Sequence, residues 1–251
     1  MMKLTFTALL LLSLNSTAFA QHSPITEPLV TTVLVSHPGA VGGLLTDQLG
    51  YVYIADFADT VWRFNPHTKE MKPFATGFYG ASGNTLDKNG DIYQASFYGN
   101  SISRISRAGE IVTVAADELN GPVGMVFNQA NELLVCNCND QTIKKIDLEG
   151  NVSDFAKSPD FNCPNGIAKD ADDNIYVVSF SGSKIVKITP EGTASVFADS
   201  QGNGLGHIAM VNGVFYATSF NDNKVFRITS DGTLTLLAGN GTRGQKDGAG
   251  L

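Results

Sequence analysis

Residues 164–198 read PNGIAKDADDNIYVVSFSGSKIVKITPEGTASVFA. A short apolar stretch, Gly166-Ile167-Ala168, runs into an Asp-rich turn at 170–173. Next comes an apolar strand around Tyr176, a polar residue at Ser179 and a loop. A third strand of type Ile-x-Lys-Ile follows at 185–188, and a fourth ends in Phe197-Ala198. The same order recurs four more times. The central anchors are Tyr53, Tyr93, Leu134, Tyr176 and Tyr216, spaced by 40, 41, 42 and 40 residues. Four strands per unit at this period describe a propeller blade.

The local chemistry fits. Each first strand is closed by an Asx or Gly turn: Asp47 to Gly50, Asp87 to Gly90, Asn128 to Asn131, Asp170 to Asp173 and Asn212-Gly213. Such turns join antiparallel strands closely. The anchor strands are apolar at nearly every position, as expected of sheets that pack on both faces. The expected fold is all-β, a propeller of four-stranded antiparallel blades. The repeats fall at about 39–80, 81–120, 121–162, 163–203 and 204–239.

The two ends of the array suggest a six-bladed type with the last blade incomplete; the alternative is a compact five-bladed ring in which the N-terminal strand is an extra edge. Residues 29–36 (LVTTVLVS) read as an isolated outer strand that would close the ring. Residues 240–251 read as the start of a further repeat. An open ring would expose sheet edges and favour association.

Residues 1–20 have the form of a signal peptide: Lys3, an apolar run from Phe6 to Leu14, and Ala18-Phe19-Ala20 as the cleavage site. The run is short for a membrane span, and no later stretch approaches 18 apolar residues. A secreted or periplasmic protein with a single domain over 21–251 is expected. The chain has 251 residues and a formal net charge of −7, with 17 scattered Lys and Arg. Nucleic acid is therefore excluded as a partner, because phosphate contacts need clustered basic residues.

Three cysteines in an exported chain allow one internal disulfide. Cys136 occupies a slot that holds Ala55, Ala95, Val178 and Thr218 in the other units, so it reads as a small buried side chain. Cys138 replaces a phenylalanine found at Phe57, Phe97, Phe180 and Phe220. Cys163 lies in the crossover to the next unit, on the same face. The expected pair is Cys138–Cys163.

In a propeller the loops after the second strands and the crossovers share one face and converge on the central channel. A cup of polar groups is expected there: Asp56, Ser96, Asn137, Ser179 and Ser219 three places after the anchors, and Asn165 at the start of an inner strand. Such a ring suits a small molecule, a protein partner or a cation. Equally, these groups can cap strand ends and bond to backbone. Asp56, Asn137 and Asn165 are hard oxygen donors of the kind that hold Ca2+ or Mg2+. His207 is the one histidine at the start of an inner strand, and a general base near neutral pH is its chemical reading. Ser179 or Ser219 with His207 and Asp56 would spell a triad, but no Gly-x-Ser-x-Gly elbow supports one.

The crossover AGNGTRGQKDGAG (238–250) and the 164–198 unit with its four relatives resemble the NHL-repeat proteins. They are also similar to the senescence-marker-protein/gluconolactonase superfamily of six-bladed propellers, over about residues 38–251. Streptogramin lyases, seven-bladed, look alike in their units. The first resemblance implies a lactone or ester hydrolase that uses a divalent cation held by a Glu, an Asn and an Asp. Asn165 in Pro164-Asn165-Gly166-Ile167 matches the Asn. Val41-Gly42-Gly43-Leu44 and Leu205-Gly206-His207 stand where the Glu and the Asp are expected. The second resemblance implies a lyase that relies on a histidine. Ligand-binding propeller, hydrolase and lyase remain the readings of the cup.

Overall fold

In the computed structural model, residues 30–31, 40–244 and 248–249 are described. All regular structure in them is β-strand. No helix among the described residues is long and apolar enough to cross a membrane. The signal peptide at 1–20 lies outside them.

Five four-stranded antiparallel sheets follow one another along the chain, each with its strands in sequence order. Blade 1 holds β2 (Gly43–Thr46), β3 (Val52–Ala55), β4 (Thr60–Phe64) and β5 (Met71–Thr76). Blade 2 holds β6 (Ala81–Leu86), β7 (Ile92–Ser96), β8 (Ser101–Ile105) and β9 (Ile111–Ala115). Blade 3 holds β10 (Pro122–Phe127), β11 (Leu133–Asn137), β12 (Thr142–Ile146) and β13 (Val152–Lys157). Blade 4 holds β14 (Pro164–Lys169), β15 (Ile175–Ser179), β16 (Lys184–Ile188) and β17 (Ala194–Asp199). Blade 5 holds β18 (Leu205–Val211), β19 (Val214–Ser219), β20 (Lys224–Ile228) and β21 (Leu234–Ala238). The inner strands β2, β6, β10, β14 and β18 neighbour one another in that order, which arranges the blades around an axis.

The outer-strand expectation for 29–36 takes a different form. β1 (Val30–Thr31) pairs antiparallel with β22 (Gly248–Ala249), Val30 opposite Ala249. The two ends of the array thus meet in a two-stranded sheet of their own. Residues 32–36 lie outside the described residues.

The anchor tyrosines show why the unit repeats. Asp170 Oδ1 accepts N–H bonds from Asp172 (3.0 Å) and Asn174 (2.9 Å), which closes the first turn of blade 4. Its Oδ2 accepts the Tyr176 hydroxyl at 3.0 Å. Tyr53 makes the same bond to Asp47, at 3.1 Å. An Asx turn and the tyrosine six residues on form one local device. Blade 3 has Leu134 as its anchor and keeps the same turn bond, Asn128 Oδ1 accepting the Glu132 N–H, while Asn128 Nδ2 donates to Glu132 Oε2 where blades 1 and 4 use a tyrosine hydroxyl, both at 2.8 Å. Blade 5 shortens the turn to Asn212-Gly213, both at positive φ (51° and 78°), a pair suited to a two-residue hairpin.

The core is a series of layers between blades. Tyr53, Ala55 and Val61 of blade 1 pack on Ile92 and Ile105 of blade 2. Leu134, Cys136 and Ile143 of blade 3 meet Ile175, Val177 and Ile188 of blade 4 in the same way. Each blade therefore turns its anchor face to the next blade and the alternate face to the one before. Cys136 is fully buried in its layer, and burial pushes its thiol pKa well above the ordinary range.

Candidate functional site

Asp56, Ser96, Asn137, Ser179 and Ser219 all lie at the exit end of a second strand. Ser96, Asn137, Ser179 and Ser219 are buried. Asn137 Oδ1 accepts the Asn120 N–H (2.7 Å), and its Nδ2 donates to Asp140 Oδ2 (2.8 Å). Ser179 Oγ accepts the Asn162 N–H at 3.1 Å. The Ser219 hydroxyl donates to Asp222 Oδ2 at 2.7 Å, and the same oxygen accepts the Asn203 N–H at 3.0 Å. Those bonds hold the Asp222 carboxyl below the usual carboxylate range. Asn120, Asn162 and Asn203 belong to the crossovers of the same three blades. The polar position after the anchor thus ties the exit loop of a blade to its own crossover, and Asn137, Ser179 and Ser219 use their polar atoms there.

Asp56 in blade 1 instead bonds within its own exit loop and third strand. It accepts N–H bonds from Ala58 (2.9 Å), Thr60 (3.1 Å) and Trp62 Nε1 (3.1 Å). Asn165 instead crosses between blades, its Nδ2 donating to the Gly206 carbonyl at 2.8 Å. Asp56, Asn137 and Asn165 stand on blades 1, 3 and 4. The one carboxylate in that set already accepts three protein donors. Among the described residues no group of three or more His, Cys, Asp and Glu side chains gathers that could hold a metal ion.

Around the channel the inner strands come very close. A Cβ built on Gly43 would fall 2.6 Å from the Ser82 carbonyl oxygen. One on Gly83 would fall 2.3 Å from the Val123 oxygen, and one on Gly124 2.2 Å from that of Asn165. One on Gly166 would fall 2.9 Å from the Cα of His207. Real contacts are never this short, so glycine is required at these four places. Ile208 pairs with Ala217 as Ile167 pairs with Val177, which gives His207 the place of Gly166 in blade 5. His207 is thus the one side chain on a ladder of glycines. It sits one residue further into the strand than Asn165 does in blade 4.

The His207 N–H donates to Thr218 Oγ1 at 3.0 Å. Its imidazole has no hydrogen-bond partner among the described residues. His207 is exposed to solvent, yet protein atoms crowd around it, and the desolvation they impose lowers the imidazole pKa from its ordinary value. The group is therefore neutral at pH 7, with a free ring nitrogen. His67 lies in a surface turn, and His22 and His37 lie outside the described residues.

Sequence reading passed over the aromatic rim of this end. Phe180 and Phe220 stack with centroids 4.4 Å apart, 47% and 39% exposed. Phe220 lies 3.5 Å from where a Gly206 Cβ would be, beside His207. On blades 1 and 2, Phe57, Phe97, Tyr79 and Tyr98 form a second cluster, Tyr98 lying 5.8 Å from Phe57, 5.1 Å from Phe97 and 5.2 Å from Tyr79. The phenylalanine four places after each tyrosine anchor was the available signal. The disulfide Cys138–Cys163 (S–S 2.05 Å) occupies the junction of blades 3 and 4.

The sequence profile of the virginiamycin B lyase family matches residues 67–240. The chain belongs to the virginiamycin B lyase family. No curated protein sequence matches it significantly. Among solved structures, a catalytically inactive His-to-Ala variant of virginiamycin B lyase from Staphylococcus aureus, with quinupristin, is 26% identical with a TM-score of 0.66. That match covers 80% of this chain and 71% of the other. A gluconolactonase from Xanthomonas campestris is 14% identical with a TM-score of 0.68, covering 78% and 74%. A structure of the nidogen/laminin complex gives 20% and 0.67, covering 75% of each chain. Both share the fold. The family match agrees with the streptogramin lyase resemblance seen in the sequence.

Proposed function

We propose that this propeller is an exported protein that takes a small organic molecule at the mouth of its channel, beside His207. The observation that carries the reading is the position of that imidazole. It is the one side chain on the glycine ladder, open to solvent, with a pKa lowered so that the neutral form prevails at pH 7, and without a hydrogen-bond partner among the described residues. The Phe180–Phe220 stack beside it supplies apolar surface of the kind small-molecule sites use.

Family membership favours a second reading, a lyase at the same place. A neutral imidazole can take a proton from a carbon next to the bond that breaks. The electron pair left on carbon forms a double bond as the leaving oxygen departs, and no water is consumed. His207 would supply the base, and Thr218 would hold its backbone. A cation-dependent hydrolase is a third reading, supported only by the gluconolactonase-like neighbour. For the ring, we infer a six-bladed type in which the sheet of β1 and β22 marks the sixth position.

The test uses quinupristin, the molecule bound by the Staphylococcus aureus relative. Calorimetry should detect binding to the wild-type chain, and His207→Ala should weaken it or abolish turnover while keeping the fold. Lyase products together carry the mass of the substrate, whereas hydrolase products together carry one water more, and cation-dependent hydrolysis is lost with EDTA. Binding and turnover that are unchanged in His207→Ala would overturn the reading.

A further inference from the structure

On the face that each blade turns to its predecessor, one row of three residues crosses the first three strands. In blade 3 the row is Met125, Val135 and Lys144; in blade 4 it is Ile167, Val177 and Val186. Blades 1 and 5 carry Leu44, Ile54 and Trp62, and Ile208, Ala217 and Phe226. The first two places are thus apolar in four blades. Blade 2 has Asn84, Gln94 and Ser103 instead, paired strand to strand.

Gln94 is fully buried. Its Nε2 donates to the carbonyls of Ser82 (3.0 Å), Gly83 (3.2 Å) and Ala95 (2.8 Å). Its Oε1 is buried without a partner among the described residues, and so are both Oδ1 and Nδ2 of Asn84, which stands directly opposite. Three orphaned polar atoms in one seam are costly, since each forfeits its hydration. Replacing the row by the apolar residues of the other blades would remove that cost, so the polar atoms serve something that sits between them.

We infer that the seam between blades 1 and 2 is a binding site for one buried water molecule held by Asn84 and Gln94. Water matches the three groups. It donates to Asn84 Oδ1 and Gln94 Oε1 and accepts from Asn84 Nδ2, the three bonds typical of an internal water. A monovalent cation fits worse, because it would satisfy the two oxygens and leave Asn84 Nδ2 unpaired. No charged side chain belongs to the row. The polar atoms are closed off from the surface, which excludes a larger ligand. The site lies one residue inside Gly83, so the water sits in the wall of the channel and joins the inner two strands of blade 2 where their side chains share no hydrogen bond.

A high-resolution crystal structure of the intact protein, with a rubidium-soaked crystal beside it, tests this. The expected result is a single peak within about 2.7–3.2 Å of all three atoms, with no anomalous signal after the soak. Solution NMR should show a long-lived water contact to the Asn84 side-chain amide. Asn84→Met alone should lower the unfolding midpoint, because it leaves Gln94 Oε1 unmatched. Adding Gln94→Val, which copies blade 3, should recover the midpoint. Direct contact between the two amides with nothing between them, an anomalous rubidium peak, or a double variant no better than the single one would each overturn the inference.

Discussion

Cys138 and Cys163 stand where other blade junctions hold a phenylalanine and a glycine, and a disulfide joins them. At the junction of blades 2 and 3, Phe97 lies within 3.0 Å of where a Gly121 Cβ would be. Gly80, Gly121 and Gly204 take positive φ at this place (76°, 63° and 79°), and so does Cys163 (58°). Two substitutions have converted one apolar contact into a covalent one. Removing the bond with Cys138→Ser and Cys163→Ser should cost about 3 kcal/mol, the loop-closure value for a ring of this size. Cys138→Phe with Cys163→Gly should be more stable than the Ser pair, because it restores the junction used elsewhere. Urea unfolding of the three proteins measures both effects.

Tyr176 and Asp170 make a local prediction. Tyr176→Phe removes one hydrogen bond at constant volume and should cost about 1 kcal/mol. Burial pushes the Asp170 carboxyl up, and its bonds from Asn174 and Tyr176 outweigh this, so the net shift is downward. A carboxyl lowered in the folded state contributes stability that is complete above its unfolded value, about 3.9. The contribution fades as pH falls through the lower folded value. Asp170→Asn should therefore flatten the loss of stability below about pH 4, as thermal melts across pH 2–6 would show.

The glycine ladder predicts an asymmetry among alanine substitutions. Gly124→Ala places a Cβ against the Asn165 carbonyl and should cost at least about 1–3 kcal/mol, the range for overpacking. Gly244→Ala, with nothing within 4 Å, is the control and should change stability by less than about 0.5 kcal/mol. Chemical denaturation of the pair measures the difference. A blade spacing wider than described would make the two substitutions alike.

Much of this architecture was legible in the letters. The 41-residue period and the Asp-to-Tyr spacing are local, because the turn and the hydroxyl that caps it lie six residues apart in one chain segment. The cysteine pair was legible because the repeat supplied its own reference for each position. The roles of Asn137, Ser179 and Ser219 were not, because the direction in which a side chain donates depends on the crossover it meets. The residue types suited a ligand cup as well as they suit a strap between loops. His207 was visible as a histidine in an inner strand, but its place on the glycine ladder needed the register of blade 5, where the shortened hairpin moves the pattern by one residue. Asn84 and Gln94 could be read only by laying the blades over one another in space.

The central claim is that His207 is a solvent-reachable, neutral imidazole at which the ligand arrives, and NMR titration of that ring tests it most directly. The account predicts a pKa below the ordinary value of about 6.5, with quinupristin shifting the His207 resonances and leaving those of His67 unchanged. A His207 pKa at or above that value, with resonances indifferent to quinupristin, would contradict it.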